Sequence, residues 1–365
     1  MKNLSGKGKK EITFILGGLT AGGAERVASS LITLWIRQGK KVNLITKKST
    51  DKDFYEVPES VKRICLGGEG ASKNKWIGLF KNFWYIIRLR KTLHSLKSDV
   101  VISFLTRQNI YAILASIGLQ PRVIISERND TTRQKQDWPW GKLREKVYRY
   151  ADVVTANSEV ALNGMKSYVD ENKLVLVSNP VFIPQKKARP SRSTRIISVG
   201  RLEKVKNHNI AIDAFYKSGL HKEGWFLDIF GTGPLKSNLK QQVFDLNLDK
   251  SVKFHGLIKN IGEHYRKSSM LILASDYEGT PNVLLEAMSY GIPGIVSNAL
   301  PGALKMIKHN QNGLVFNKGD IKKLSELIIL LAKNPSKTNA MGNVARESVK
   351  KYSPDKVIKE WNALL

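Results

Sequence analysis

The chain has 365 residues, 42% hydrophobic and 25% charged, the proportions of a folded protein long enough for two cores. Sixty Lys and Arg against 31 Asp and Glu leave a formal charge of +29, which suits a polyanionic partner: nucleic acid, an anionic membrane or a phosphorylated substrate. The single cysteine, Cys65, excludes an internal disulfide and a Cys-rich zinc site and fits a reducing compartment, and the six scattered His include no HExxH.

The start, MKNLSGKGKKEITFIL, is basic, and its short apolar run reads straight into a strand at 12–16, so no cleavable signal is expected. A Gly-rich turn containing Gly17, Gly18, Gly22 and Gly23 leads into a helix from about Ala24 to Gln38, and its small residues let backbone N–H groups approach phosphate. The turn is not GxGxxG, and KVNLITKKST, the second strand, ends on Lys where a dinucleotide site wants an acid. A nicotinamide site is therefore disfavoured, and neither a P-loop nor a GxSxG elbow occurs.

Residues 73–97 read as an amphipathic helix, with Trp76, Leu79, Phe80, Phe83, Trp84 and Ile87 on one face and Lys81, Tyr85 and Arg88 opposite. Two readings stand: a helix packed on its own sheet, the commoner case, or a basic Trp-rich helix lying on anionic lipid. No stretch approaches the ~18 apolar residues of a spanning helix. VVISF, RVIIS and DVVTANS continue the strands. Polar residues follow the first two, Thr106 to Asn109 and Ser126, Glu127, Arg128, Asn129 and Asp130, either as loop caps and ion pairs or as donors to sugar hydroxyls.

The run SNPVFIPQKKARPSRST is rich in Pro, Ser and basic residues and reads as a linker. The expected division is a domain at 1–180, a linker at 181–194 and a domain at 195–350. Strands resume with RIISVG, FLDIFG, VKFHG, MLILAS and GIVS, helices between them. This βαβ alternation predicts an α/β protein of two doubly wound, Rossmann-like domains facing across a cleft, with ligands beyond the C-terminal strand ends.

Gly200 ends the first strand of the second half, and Arg201 and Lys206 follow. Two cations there would neutralise a diphosphate leaving group, unless they belong to a solvated basic loop. The turn Phe230-Gly231-Thr232-Gly233-Pro234 could hold a base or ribose by backbone contacts. The most informative run is SDYEGTPNVLLEAMSYGIP. Glu286 lies on a helix that reads apolar nearly all round, where a carboxylate is costly unless hydrogen-bonded. Thr280 is the expected N-cap, Pro281 sits in the first turn, and Glu278 precedes both. Carboxylates before and inside a helix whose N-terminus attracts phosphate match a ribose, a diphosphate and a sugar in a row. The bland alternative is a core helix with one Glu paired to a Lys or Arg.

Four stretches in order, GGAERV, ISERND, VGRLEKVKN and EGTPNVLLEAMSYGIP, make the chain resemble a retaining glycosyltransferase of family 4, of GT-B fold, over nearly its whole length. It looks closest to the branch that builds bacterial surface glycans on polyprenyl-diphosphate carriers, often with UDP-N-acetylhexosamine donors. The resemblance implies a catalytic set of Glu278 on the donor sugar's hydroxyls and Arg201 and Lys206 on the diphosphate, with Glu286 on the ribose. It also implies substrate-binding roles for Gly200, Gly231, Gly233, Thr280, Pro281, Asn282, Val283 and Leu284, and for Glu127, Arg128 and Asn129. The Gly22–Gly23 loop would close on the diphosphate from the other domain. No metal and no cofactor beyond the nucleotide-sugar is implied, and the final segment, a helix at 353–365, would cross back onto the N-terminal half. Two departures leave the donor sugar open: Glu127 and Arg128 stand where many relatives carry a His, and Lys305 stands where an acid is common.

The expected function is transfer of a hexose or N-acetylhexosamine from a UDP-sugar to a polyprenyl-diphosphate-linked glycan, by a peripheral protein on the inner face of the cytoplasmic membrane. Alternatives are a GDP-sugar donor, a soluble acceptor, or a sugar-nucleotide epimerase of similar fold. A basic polyanion-binding protein is the non-enzyme alternative. With no RRM, KH, helix-turn-helix or zinc-finger signature, nucleic acid is not an expected partner.

Overall fold

The computed structural model describes residues 10–68, 75–133, 136–185 and 193–365, without the side chains of Lys75 and Trp76. The basic start at 1–9, residues 73–74 of the amphipathic segment, the Trp76 side chain and residues 186–192 of the expected linker lie outside the described residues. The chain divides into two compact units: Met1–Pro180 with Pro354–Leu365, and Val181–Ser353.

The first unit is built on strands β1 (Glu11–Leu16), β2 (Lys41–Thr46), β3 (Lys62–Cys65), β4 (Val100–Phe104), β5 (Arg122–Glu127), β6 (Val153–Ala156) and β7 (Leu174–Leu176). They form one parallel sheet in the order β3-β2-β1-β4-β5-β6-β7. Its central strands are apolar without alternation because helices cover both faces. Successive side chains point to opposite faces. Phe14, Ile102, Phe104 and Ile124 join one core with α1 (Gly23–Arg37) and α13 (Pro354–Leu364). Ile15, Val101, Ile125 and Val154 join the other, with α2 (Lys75–Leu96), α3 (Thr106–Ser116), α4 (Trp140–Val147) and α5 (Glu159–Asn163). The chain's final helix is part of the first core: Trp361 is fully buried, edge-on to Trp35 at 6.2 Å and 5.7 Å from Phe104, and Trp35 Nε1 donates to Asn362 Oδ1 at 3.0 Å.

The second unit repeats the plan with β8 (Arg195–Val199), β9 (Phe226–Phe230), β10 (Val252–Gly256), β11 (Met270–Leu273), β12 (Gly294–Ser297) and β13 (Gly313–Phe316), in the parallel order β10-β9-β8-β11-β12-β13. One face carries α6 (His208–Ser218), α7 (Lys236–Asp245) and α11 (Ile321–Lys333). The other carries α8 (Gly262–Arg266), α9 (Asn282–Ser289), α10 (Pro301–Leu304) and α12 (Pro335–Ser348). Val181 already belongs to that second core, its N–H donating to the Tyr352 carbonyl at 2.9 Å, so this end of the expected linker is packed structure.

Two expectations are corrected. The strands β3, β7 and β13, all at sheet edges, are not expected from the sequence: β3 (KRIC) carries two cations and is nowhere buried, β7 (LVL) is only three residues long, and β13 (GLVF) is apolar and mostly buried, so exposure does not account for it. The amphipathic helix exists, with Lys81 and Arg88 exposed as expected and Ile87 half-buried, but the row it buries is not the expected apolar stripe. Tyr85, expected opposite the apolar stripe, is fully buried with Leu89 and Leu93, its ring 5.0 Å from Tyr111. Ile77, Leu79, Phe80, Phe83 and Trp84 are exposed. The i, i+4, i+8 row headed by Tyr85 fits against α3, and the wider aromatic stripe is left outside.

Candidate active site

In each sheet the strand order reverses once, between β1 and β4 and between β8 and β11. At such a point neighbouring loops leave in opposite directions and open a crevice at the carboxyl ends of the strands. In the second unit the two loops are joined by a salt bridge. After β8 the chain passes Gly200 and Arg201 into a 3-10 turn, Lys204–Lys206, and Lys206 Nζ lies 2.9 Å from Glu278 Oε1 in the β11–α9 loop, both side chains mostly buried. Ser275 Oγ donates to the same oxygen at 2.8 Å. Below them Asn207, at φ +50, sends Nδ2 to Asp276 Oδ1 at 2.8 Å and to the Ala274 carbonyl at 3.1 Å, and Asp276 N–H donates to the Val205 carbonyl at 2.8 Å. Asn is among the few side chains at ease in that left-handed conformation.

A third loop is packed onto the first, backbone against backbone. Gly200 N–H donates to the Phe230 carbonyl at 3.0 Å and Leu202 N–H to the Thr232 carbonyl at 2.9 Å. A Cβ on Gly231, at φ +132, would run into the Gly200 carbonyl, and one on Gly233 into Leu202, so these positions need glycine. Behind the Gly200 turn stands His208, its Nδ1 3.0 Å from Ser198 Oγ. Burial lowers its pKa to about 4, with the nearby Lys206 charge pushing the same way, so the imidazole is neutral at physiological pH.

Helix α9 starts one residue later than expected. Pro281, and not Thr280, is at the N-cap, its carbonyl accepting from Leu284 N–H at 3.0 Å and Leu285 N–H at 3.3 Å. Glu286 is in the second turn, buried, and its Oε2 accepts from the hydroxyl of fully buried Tyr265 at 3.2 Å. Leu284 points into the core, against Gly294, so only its backbone could meet a ligand; Asn282 and Val283 are half-buried. Arg201 is apart from the carboxylate pair, 66% exposed, with Nη1 2.8 Å from Glu203 Oε1.

In the first unit Gly22 is the N-cap of α1, and the Glu25 carboxylate folds back over it from the third helical position. The opening of that helix therefore already carries a carboxylate of its own. Leu105, at the end of β4, has φ +76, a conformation costly for a leucine. Glu127 is buried and accepts from Thr106 Oγ1 at 2.9 Å and from the Tyr148 hydroxyl. Burial raises its pKa against these hydrogen bonds. Asn109 extends the network to the Ser126 carbonyl and to Tyr148, each at 3.0 Å. Asp130 caps its own turn through Thr132, and Asn129 is half-buried. Thr106, Asn109 and Asp130 thus hold loops together. Arg128 turns the other way, over Phe104. Among the described residues no group of three His, Cys, Asp or Glu could hold a metal ion.

The family model of Glycosyltransferase Family 4 matches residues 21–183, and that of Glycosyl transferases group 1 matches residues 182–348. The chain belongs to the family 4 glycosyltransferases. Over 97% of this transferase and 98% of the relative, it is 29% identical to the GalNAc-α-(1→4)-GalNAc-α-(1→3)-diNAcBac-PP-undecaprenol α-1,4-N-acetyl-D-galactosaminyltransferase of Campylobacter jejuni. An uncharacterized glycosyltransferase of Haemophilus influenzae is 26% identical over 98% of the chain and its own full length. Among solved structures, Anabaena HepE in complex with UDP and glucose superposes with a TM-score of 0.81 at 17% identity, over 97% of this chain and 98% of that one. The glycosyltransferase therefore has the GT-B fold.

Sequence reasoning missed Tyr265, Ser275, His208 and the Asn207–Asp276 clamp. Asn207 carried a faint signal, a turn-forming residue just before a helix. Tyr265 carried none, because its partner lies 21 residues away across the fold.

Proposed function

We propose that this glycosyltransferase moves a hexose or N-acetylhexosamine from a UDP-sugar to a polyprenyl-diphosphate-linked glycan, with retention at the anomeric carbon and without a metal ion. The observation that carries this reading is the Lys206–Glu278 bridge at the switch point of the second unit. A donor seated there exchanges partners with it. The diphosphate takes the Lys206 ammonium, and Glu278 turns to the sugar hydroxyls. Arg201 adds a second cation on leaving Glu203, at the small cost of an exposed ion pair. As the bond from the anomeric carbon to the diphosphate oxygen breaks, negative charge grows on that oxygen beside the two cations. The acceptor hydroxyl attacks from the same face and gives its proton to the departing phosphate. Glu286, held by Tyr265, accepts from the ribose hydroxyls.

The activity in the name of the Campylobacter relative, on an undecaprenol-PP glycan, supports a lipid-linked acceptor, and the UDP and glucose bound to HepE support the donor class. A site at the inner face of the cytoplasmic membrane also fits helix α2, whose exposed Ile77, Leu79, Phe80, Phe83 and Trp84 suit the headgroup boundary of an anionic bilayer. No helix among the described residues is long and apolar enough to cross a membrane. The deciding experiment is a thermal-shift and turnover screen over UDP- and GDP-sugars, with Lys206→Ala as the control. UDP-sugars alone should stabilise and be consumed, and only in the parent. Stabilisation by GDP-sugars alone, or equal behaviour of Lys206→Ala, would defeat the assignment.

A further inference from the structure

The end of β5 carries a buried cation that the fold leaves half unused. Arg128 is 7% exposed. Its guanidinium carbon lies 3.9 Å from the Phe104 ring centroid and 5.7 Å from that of Trp361. Nη1 donates to Asn179 Oδ1 at 2.5 Å, while Nε and Nη2 are buried and meet no acceptor among the described residues. Those two nitrogens form the side-on edge of a guanidinium, the fork that grips two oxygens of one carboxylate or phosphate. Leaving it buried and unpaired is expensive.

The obvious internal partner is withheld. Glu127 is next in the chain, but strand geometry sends its side chain to the opposite face, where Thr106 and Tyr148 engage the carboxyl. On the Arg128 side the neighbouring Trp361 Nε1 is a further buried donor that meets no acceptor among the described residues. The site gathers three buried donors, Arg128 Nε and Nη2 and Trp361 Nε1, that no described carboxylate or carbonyl meets. Burial draws Arg128 down to about 9, which leaves it charged at neutral pH.

We propose that Arg128 is a bidentate oxyanion site of the first unit, its Nε–Nη2 edge taking either a phosphate of a diphosphate or the carboxylate of an acidic sugar. The choice of these two sources rests on the transferase reading; the oxyanion chemistry does not. The edge is enclosed, so the anion enters as the side chains around it part.

Calorimetric titration of the full chain tests this, in a Lys206→Ala background so that pyrophosphate is not scored at the second unit. Pyrophosphate and D-glucuronate are the probes, with D-glucose as the neutral control. One of the two anions, and not glucose, should bind at one per chain. Arg128→Lys keeps the charge without the fork and should weaken that binding at least about tenfold, and Arg128→Met should do the same. Binding of pyrophosphate names a phosphate as the source, and binding of glucuronate names a carboxylate. If neither anion binds, or if both variants bind like their parent, only water occupies the edge and the proposal falls. Should both variants lose their cooperative melt, the parent titration decides alone: one anion bound supports the site, none overturns it. UDP binding compared between wild type and Lys206→Ala tests the donor reading separately.

Discussion

Glu286 illustrates what one buried carboxylate demands. It is among the most enclosed charged groups of the second unit, and the Tyr265 hydroxyl meets one of its oxygens. If it binds ribose, Glu286→Gln removes a charge-assisted hydrogen bond of ~1.5–3 kcal/mol, and UDP-sugar affinity or kcat/KM should fall at least about tenfold. Unchanged constants would strip it of that role. His208 makes a pH prediction. Its folded pKa is about 4 against an ordinary 6.5, so the unfolded chain takes up a proton first as pH falls. Its contribution is intact above pH 6.5 and is lost progressively toward pH 4, up to about 3 kcal/mol. Urea titrations over that range should show His208→Asn losing less stability on acidification than the parent. Glu286 was legible because a carboxylate stands out in an apolar run, and Glu278 because it stands just before the N-terminus of that helix. Tyr265 and His208 were not, since an aromatic or a His beside a strand reads as ordinary packing.

At the scale of elements, the central strands, whose burial is two-sided, were the plainest, although the edge strand β10 (VKFHG) was also read. β1, β4, β5, β8 and β11 read as mostly apolar runs, broken only by a small Thr or Ser, because both sheet faces are covered. The edge strand β3 was lost for the opposite reason: KRIC carries two cations and none of its residues is buried. Helix α2 shows the limit of periodicity: hydrophobicity locates an apolar stripe but not which stripe finds a partner. Here Tyr85, Leu89 and Leu93 found α3 and the sheet, and Phe80 and Phe83 stack edgewise on Trp84 in solvent. The two rows should separate by experiment. Replacing Phe80, Phe83 and Trp84 by Ser should abolish flotation with anionic vesicles and barely move the melting temperature. Tyr85→Ala opens the core and should cost about 3–5 kcal/mol of stability. Vesicle binding that survives the triple change would clear α2 of a lipid role.

The whole molecule adds charge and connectivity. A net +29 implies that vesicle docking weakens as salt rises from 0.05 to about 0.5 M, over which the screening length shrinks several-fold. Flotation insensitive to salt would point to apolar insertion alone. Connectivity matters through α13, whose Trp361 completes the aromatic stack of Phe14, Trp35 and Phe104 in the first unit. A ribosome makes Pro354–Leu364 only after all of Val181–Ser353. At the end of that interval the second unit has everything it needs, while the first still lacks a side chain its core is built around. The half translated first should therefore be the half that matures last, waiting on a dozen residues for its final shape.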